Sequence, residues 1–295
     1  MEIHRASSLE GKLFLVGLGA QKAGSTWMAR YLRSHPDVYV SPLKEIHYFD
    51  AVYLRRLNGH ITKRFVRMAE QIGNGTAIDG AQVSHKDRQK HRALTDRIRM
   101  VREKDYPYLK FFEDRVTTES VFCDITPAYS MLNADGYQAI IDTHPNIRWV
   151  FILRDPVDRY WSAIRMGVRK RKNSDPYGEF LKFLDLEEYT LRTDYKRTIL
   201  ELEKLVPPDR IKYLFYENLF TTQAIDELTS FIGVKPWPAK FEQVVNPGDR
   251  LPIRPEHHIA ALQKFRHVYE FVAERFGDAT PERWRKSMDG LRSAA

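Results

Sequence analysis

The chain has 295 residues, a formal net charge of +8 and an apolar fraction of 43%, which is ordinary for a globular protein and enough for a substantial core. No run of about eighteen apolar residues occurs, which excludes a transmembrane helix, and the opening MEIHRASSLEGK lacks the apolar core of a signal peptide. A single cysteine, Cys123, rules out an intrachain disulfide, so we expect a reducing, cytoplasmic setting.

In chain order, an apolar strand over 13–18 runs into a loop holding Gly19, Lys22 and Gly24, and a helix over 25–34 follows with Trp27, Met28, Tyr31 and Leu32 at helical spacing. Such a turn aims backbone N–H groups and a helix N-terminus at one point, which suits a phosphate. It departs from the nucleotide-binding pattern G-x-x-x-x-G-K-[ST], because Ser25 stands where the lysine belongs and Lys22 lies inside the loop. His35-Pro36 ends the helix. We then expect a short strand at 38–40, a helix over 51–72 stopped by Gly73-Asn74-Gly75, and a helix over 86–104. A strand at 121–125, a turn at Thr126-Pro127, a helix over 133–143 and a wholly apolar strand at 149–153 come next. Helices over 158–168 and 186–205, a strand at 211–215, a helix over 221–232, an irregular Pro/Gly-rich stretch at 236–254 and a helix over 255–276 complete the reading. Strands alternating with helices imply an α/β fold with a central parallel sheet flanked by helices. We read one domain over 1–295, with a core at 13–233 and a C-terminal loop and helices at 234–295.

Positive charge concentrates at 85–104, where Leu94, Ile98 and Val101 keep helical spacing, and at 165–172. Each is either a solvated surface or an edge of a cleft for an anionic or sugar-like molecule. No nucleic-acid module is recognisable, so nucleic acid is set aside. The ten histidines are dispersed and imply no metal site. Cys123 adjoins Phe122 in an apolar run and reads as a buried, inert thiol.

QKAGSTW at 21–27 resembles the 5′-phosphosulfate-binding loop of sulfotransferases that use 3′-phosphoadenosine 5′-phosphosulfate (PAPS). RWVFILRDPVDRYWS at 148–162 is similar to that family's 3′-phosphate-binding strand and helix, with Arg154 at the strand end and Ser162 eight residues on. KEIHYFD at 44–50 and DITPAYS at 124–130 resemble segments of the heparan sulfate glucosaminyl sulfotransferase branch. IKYLFYENL at 211–219, with Tyr216, resembles a late strand of the family. The resemblance keeps the family's order over most of 13–233. It implies a P-loop-kinase-like sulfotransferase fold, PAPS as donor with the bisphosphate PAP as product, no metal, and in-line transfer of a sulfuryl group to a hydroxyl or amine of a small-molecule or carbohydrate acceptor.

Within that frame Lys22 is the natural stabiliser of charge on the departing phosphate, as a point charge on a flexible stem. The loop Ala23, Gly24, Ser25 and Thr26 supplies backbone N–H groups, and Gly24 permits close approach. Trp27 packs either on the adenine, as the resemblance implies, or in the core. Arg154 offers a planar fork to phosphate, with a structural pair to Asp155 or Asp158 as its other reading. Arg250 in NPGDR (246–250) is a candidate for a loop over the 3′-phosphate. Glu45 matches the branch's catalytic base, with His47 as the other candidate; in an extended segment the two share a face. Asp124 and Tyr129 are candidates for the acceptor pocket. Two departures count against the heparan acceptor: Ile125 replaces the lysine before T-P-A-Y, and no disulfide can form. The competing readings are a P-loop-like small-molecule kinase using ATP–Mg²⁺ and a non-catalytic nucleotide-binding or nucleic-acid-binding protein.

Overall fold

The structure, a computed structural model, describes residues 8–103, 105–169, 171, 174–242 and 251–293. Five strands form one parallel sheet: β1 (Leu13–Gly19), β2 (Val38–Val40), β3 (Val121–Ile125), β4 (Ile147–Leu153) and β5 (Ile211–Phe215). Their order across the sheet is β2-β3-β1-β4-β5. β1 is central and buried along its whole length, as expected for an apolar run covered on both faces. In register, Val16 lies between Asp124 of β3 and Trp149 of β4. The carboxyl ends of β1, β3 and β4 are therefore side by side, the place where open parallel sheets gather their ligand loops.

The crossovers are helical, as parallel pairing requires. α1 (Ser25–Ser34) follows β1. Between β2 and β3 come α2 (Phe49–Tyr53), α3 (Arg55–Gly73), α4 (His85–Arg102) and α5 (Lys110–Glu113), and α6 (Ala134–Ile141) joins β3 to β4. α7 (Pro156–Arg169), α8 (Pro176–Leu184), α9 (Glu187–Thr190) and α10 (Tyr195–Glu203) lie between β4 and β5, and α11 (Thr222–Ile232), α12 (Pro255–Phe276) and α13 (Glu282–Ser293) follow. The result is the α/β architecture expected from the sequence, in one domain, with apolar side chains of the sheet, α1, α7, α10, α12 and α13 in one core.

Several elements differ from the sequence reading. The expected helix over 51–72 is two helices, broken at Leu54 (φ −120°, ψ 42°), so that Phe49 enters the core while α3 turns Ile61, Phe65, Ala69 and Ile72 inward. The expected helix over 186–205 is α9 and α10; Asp194 caps the second by accepting from the Arg197 N–H at 3.0 Å. α8, which starts at Asp175-Pro176 with the aspartate as cap, was not expected, and neither were α5 and α13. α4 buries Leu94 together with Ala93, Arg97 and Met100, while Ile98 and Val101 are only half-buried. The Thr126-Pro127 turn continues as a 3₁₀ turn over Pro127–Met131. Cys123 is buried in β3, and burial pushes its thiol pKa up, which makes it inert as expected. Among the described residues no helix is long and apolar enough to cross a membrane.

Candidate active site

The loop after β1 turns on two left-handed residues, Lys22 at φ 71° and Gly24 at φ 88°. Glycine adopts this freely, whereas lysine does so at a cost of about 1 kcal/mol. A Cβ at Gly24 would lie 2.6 Å from Leu219 Cδ2 and 3.3 Å from Tyr216 Cδ2, so no side chain fits there. Gly24 caps α1 without a side-chain hydrogen bond, and the first turn carries no acid. The positive end of that helix thus stays open beside the cavity described below.

Arg154 leaves the end of β4 and donates Nη1 to the Lys22 carbonyl at 2.7 Å. Its guanidinium stands 4.4 Å from the Tyr216 ring centroid, and its Nε is buried with no hydrogen-bond partner. The structural pair with Asp155 or Asp158 is not formed. Asp155 accepts from Tyr269 Oη at 2.8 Å and from the Asp158 N–H at 3.0 Å, and Asp158 pairs with Arg283 at 2.7 Å. Burial, followed by the charges of Arg169, Arg154, Lys44 and Arg165, lowers the Lys22 pKa to about 8. A bound anion would relieve that field.

On the opposite wall, Glu45 Oε1 accepts from Lys44 Nζ at 2.7 Å and Oε2 lies 3.0 Å from His47 Nε2. His47 Nδ1 lies 2.7 Å from Oδ2 of the fully buried Asp50. A ring flanked by a carboxylate at each nitrogen is held as imidazolium. Burial works against that charge, but Asp50 and then Glu45 outweigh it and raise the His47 pKa to about 9. Burial likewise opposes ionisation of Glu45, and the hydrogen bonds and charges of His47 and Lys44 overcome it, holding the carboxyl well below its usual range. The segment is not extended at His47, the condition under which the sequence reading put Glu45 and His47 on one face. His47 is left-handed at φ 55°, and this turn brings Glu45 and His47 together. From beneath, Thr126 Oγ1 accepts from the Ile46 N–H at 3.0 Å and donates to Asp124 Oδ1 at 2.6 Å. Tyr129 Oη accepts from the Tyr48 N–H at 3.3 Å and donates to Asp124 Oδ2 at 2.7 Å. Asp124 and Tyr129 are therefore buried supports, not members of the pocket wall.

These groups share one cavity of about 570 Å³, within the ~300–1,000 Å³ usual for small-molecule sites. Lys22, Gly24, Ser25, Thr26, Trp27, Glu45, His47, Arg154, Ser162 and Tyr216 all line it, as the sequence reading brought them together. Ala23 does not; it is buried beneath, with its N–H on the Ala20 carbonyl. Arg250 lies outside the described residues. Trp27 lines the cavity and also packs within the protein, its ring stacked 5.9 Å from both Tyr31 and Phe241. The sequence reading missed Lys44, His60, Arg64 and Arg192. Lys44 and Asp50 were visible inside KEIHYFD. His60, Ile61 and Arg64 share one face of α3, but only tertiary packing turns that face to the site. Of the two basic stretches, 165–172 contributes Met166 to the lining and no described residue of 85–104 does. Among the described residues no group of His, Cys, Asp and Glu is arranged to hold a metal ion.

A family model described as "Sulfotransferase family" matches residues 14–239. No curated protein sequence matches the chain. Among solved structures, the chain is similar to a sulfotransferase from Alicyclobacillus acidocaldarius, with a TM-score of 0.58 and 19% identity over 93% of this chain and 98% of that one. It is also similar to the sulfotransferase domain of the olefin synthase of Synechococcus PCC 7002, with a TM-score of 0.50 and 15% identity over 87% and 94% of the two chains. At these identities the structural likeness concerns the fold. The family match is to sulfotransferases at large and does not single out the heparan sulfate branch.

Proposed function

This chain belongs to the sulfotransferase family, and on that premise we propose that it transfers a sulfuryl group from PAPS to a hydroxyl or amine of a small-molecule or carbohydrate acceptor, with Glu45 as base. The observation that carries the reading is the convergence of Lys22, Arg154 and Glu45 on one cavity from the loops after β1, β4 and β2. Among the described lining residues Glu45 is the one carboxylate, against Lys22, Lys44, Arg64, Arg154 and Arg192, a balance suited to an anionic donor.

The residues present fit that donor. Gly24 turns the loop at a positive φ with its backbone on the cavity, the α1 N-terminus has no side-chain cap, and Arg154 keeps a buried, unpartnered Nε. When bound, PAPS supplies an electrophilic sulfuryl group and a phosphate that leaves with the negative charge. Lys22 and the α1 N–H groups stabilise that charge. Arg154 and Ser162 anchor the far phosphate, and Tyr216 holds the Arg154 guanidinium in place. At the acceptor, His47 already carries its proton and has both nitrogens engaged, so it orients rather than deprotonates. Because His47 holds Glu45 Oε2 and the 39%-exposed Lys44 holds Oε1, withdrawal of Lys44 frees Oε1 to take the acceptor proton and makes it more basic.

Calorimetric titration with PAP, beside ATP plus Mg²⁺, tests the reading. We expect metal-independent PAP binding that weakens by about ten- to a hundredfold in Lys22→Ala and in Arg154→Ala, as loss of a charge-assisted hydrogen bond of about 1.5–3 kcal/mol implies. A preference for ATP–Mg²⁺ would reject the sulfotransfer donor and favour a kinase.

A further inference from the structure

Arg97 of α4 is fully buried, and among the described residues no carboxylate is in ion-pair contact with it; Asp50 and Asp124 favour its charge from a distance. Its Nε donates to the Ile46 carbonyl at 2.9 Å, its Nη2 donates to the His47 carbonyl, and its Nη1 donates to Thr62 Oγ1 of α3 at 2.9 Å. The guanidinium also stands 5.1 Å from the Phe65 ring centroid. Burial lowers its pKa to about 10, which leaves it charged at neutral pH. A buried guanidinium with no carboxylate in contact is costly, and here its Nε and Nη2 N–H groups go to backbone carbonyls instead. What only a planar fork provides is a simultaneous grip on two successive carbonyls.

Those two carbonyls belong to the turn on which the site depends. His47 occupies the left-handed region, which non-glycine residues rarely adopt without support. The Ile46 N–H is already held by Thr126, so the segment is pinned by its donor from β3's side and by its acceptors from α4. We infer that Arg97 is a positioning residue for the base: its fork fixes the Ile46–His47 turn that sets Glu45 between Lys44 and His47, and ties that turn through Thr62 to the α3 wall of the cavity. The inference rests on the reading of Glu45 as base. Thr62 adjoins Ile61, and His60, Ile61 and Arg64 line the cavity, so the α3 wall and the base are held as one piece.

The test needs no acceptor. Imidazole ¹⁵N spectra of the full chain, assigned with His47→Gln, follow the His47 titration directly. The charged groups around it are Glu45 and Asp50 on its own segment, Arg97 from α4, Asp124 from β3 and Arg192 ahead of α10. In Arg97→Gln, removal of a cation alone would raise the His47 pKa, whereas loss of the turn separates His47 from its carboxylates and lowers it. We expect a fall of about one unit, a tenfold change in proton affinity, with PAP affinity within about twofold of wild type because the donor loop is anchored elsewhere. Arg97→Lys keeps the charge but not the fork and should fall part of the way. Thr62→Val removes one contact without stranding a charge and should shift His47 in the same direction by less. Once an acceptor is in hand, Arg97→Gln should lower kcat by about a hundredfold, the effect of a misplacement near 1 Å, with the KM for PAPS unchanged. A rise of the His47 pKa in Arg97→Gln, or an unchanged one in both Arg97→Gln and Thr62→Val, overturns the inference. So does loss of PAP binding in Arg97→Gln with His47 unchanged in Thr62→Val, which marks a merely structural arginine. Failure of the wild type to bind PAP would instead reject the donor, a different result read in a different measurement.

Discussion

Lys22 sits in a buried field shaped by Arg169, Arg154, Lys44 and Arg165, and its pKa of about 8 follows from burial first and those charges second. The same field has a consequence for binding. An anion in the loop favours the charged amine, so the complex holds the Lys22 proton to a higher pH than the free protein does. Between those two pKa values binding takes up a proton, and affinity must fall as pH rises. Phosphate monoesters lose their second proton near pH 6, at about 6 for a second pKa, so the ligand itself is constant above neutrality. We therefore expect PAP affinity to be flat from about pH 7 to 8 and to fall by up to about tenfold per unit above that. Lys22→Arg, whose guanidinium stays protonated throughout, should flatten this limb. Calorimetry across the range decides it: an identical slope in Lys22→Arg would assign the proton to another group.

At the scale of elements, α13 shows how a helix remote from the cavity supports it. Trp284 is fully buried and donates Nε1 to Glu217 Oε1 at 3.0 Å, and the same oxygen accepts the Asp155 N–H at 3.0 Å. Tyr195, beside Trp284, donates its hydroxyl to the Arg154 carbonyl at 2.9 Å. The turn that launches Arg154 is thus braced from behind. Trp284→Ala should cost about 3–5 kcal/mol, the usual range for removing a buried large aromatic, and Trp284→Phe about 1–3 kcal/mol for a buried acceptor left short of a donor. Urea midpoints at constant m-value measure both, and a loss under about 1 kcal/mol in Trp284→Ala would mean that α13 merely rests on the surface. None of this was legible in ERWRKSMDGLRS, a polar stretch with one aromatic anchor. β1 and the 149–153 part of β4 were legible as continuous apolar runs, β3 and β5 as short apolar runs broken only by Asp124 and Lys212, and α1 because it opens after a glycine loop and ends at His35-Pro36. The break at Leu54 was hidden, since neither glycine nor proline marks it. Lys22, Glu45 and Arg154 could be read because each lies in a compact stretch next to a strand end. Arg97 could not, because an arginine in a basic helix reads as solvated until the fold brings Ile46 and His47 against it.

At the scale of the whole molecule, the site and the core cannot be divided along the chain. The cavity takes its walls from the loops after all five strands and from α3 and α7, and α12 and α13 place Val272, Tyr269 and Trp284 in the same buried core as Phe14 of β1 and Phe151 of β4. We therefore expect residues 1–295 to unfold as one cooperative domain, with the C-terminal helices melting together with the 13–233 core. Because PAP would bind only the folded chain, an excess of about a hundred times Kd should add about 2.7 kcal/mol of stability. For 295 residues, an unfolding entropy of about 2.1 cal/mol/K per residue gives about 0.6 kcal/mol/K, so the midpoint should rise by about 4 °C. Scanning calorimetry checks both claims at once. A single transition that moves as a whole with PAP, and that at the same PAP concentration moves by only about 2 °C or less in Arg154→Ala, is the expected outcome. Two transitions of which only the first responds would overturn it, since the α12–α13 brace would then melt without the site, and the contact from Trp284 through Glu217 to Asp155 would carry no coupling to the donor end of the cavity.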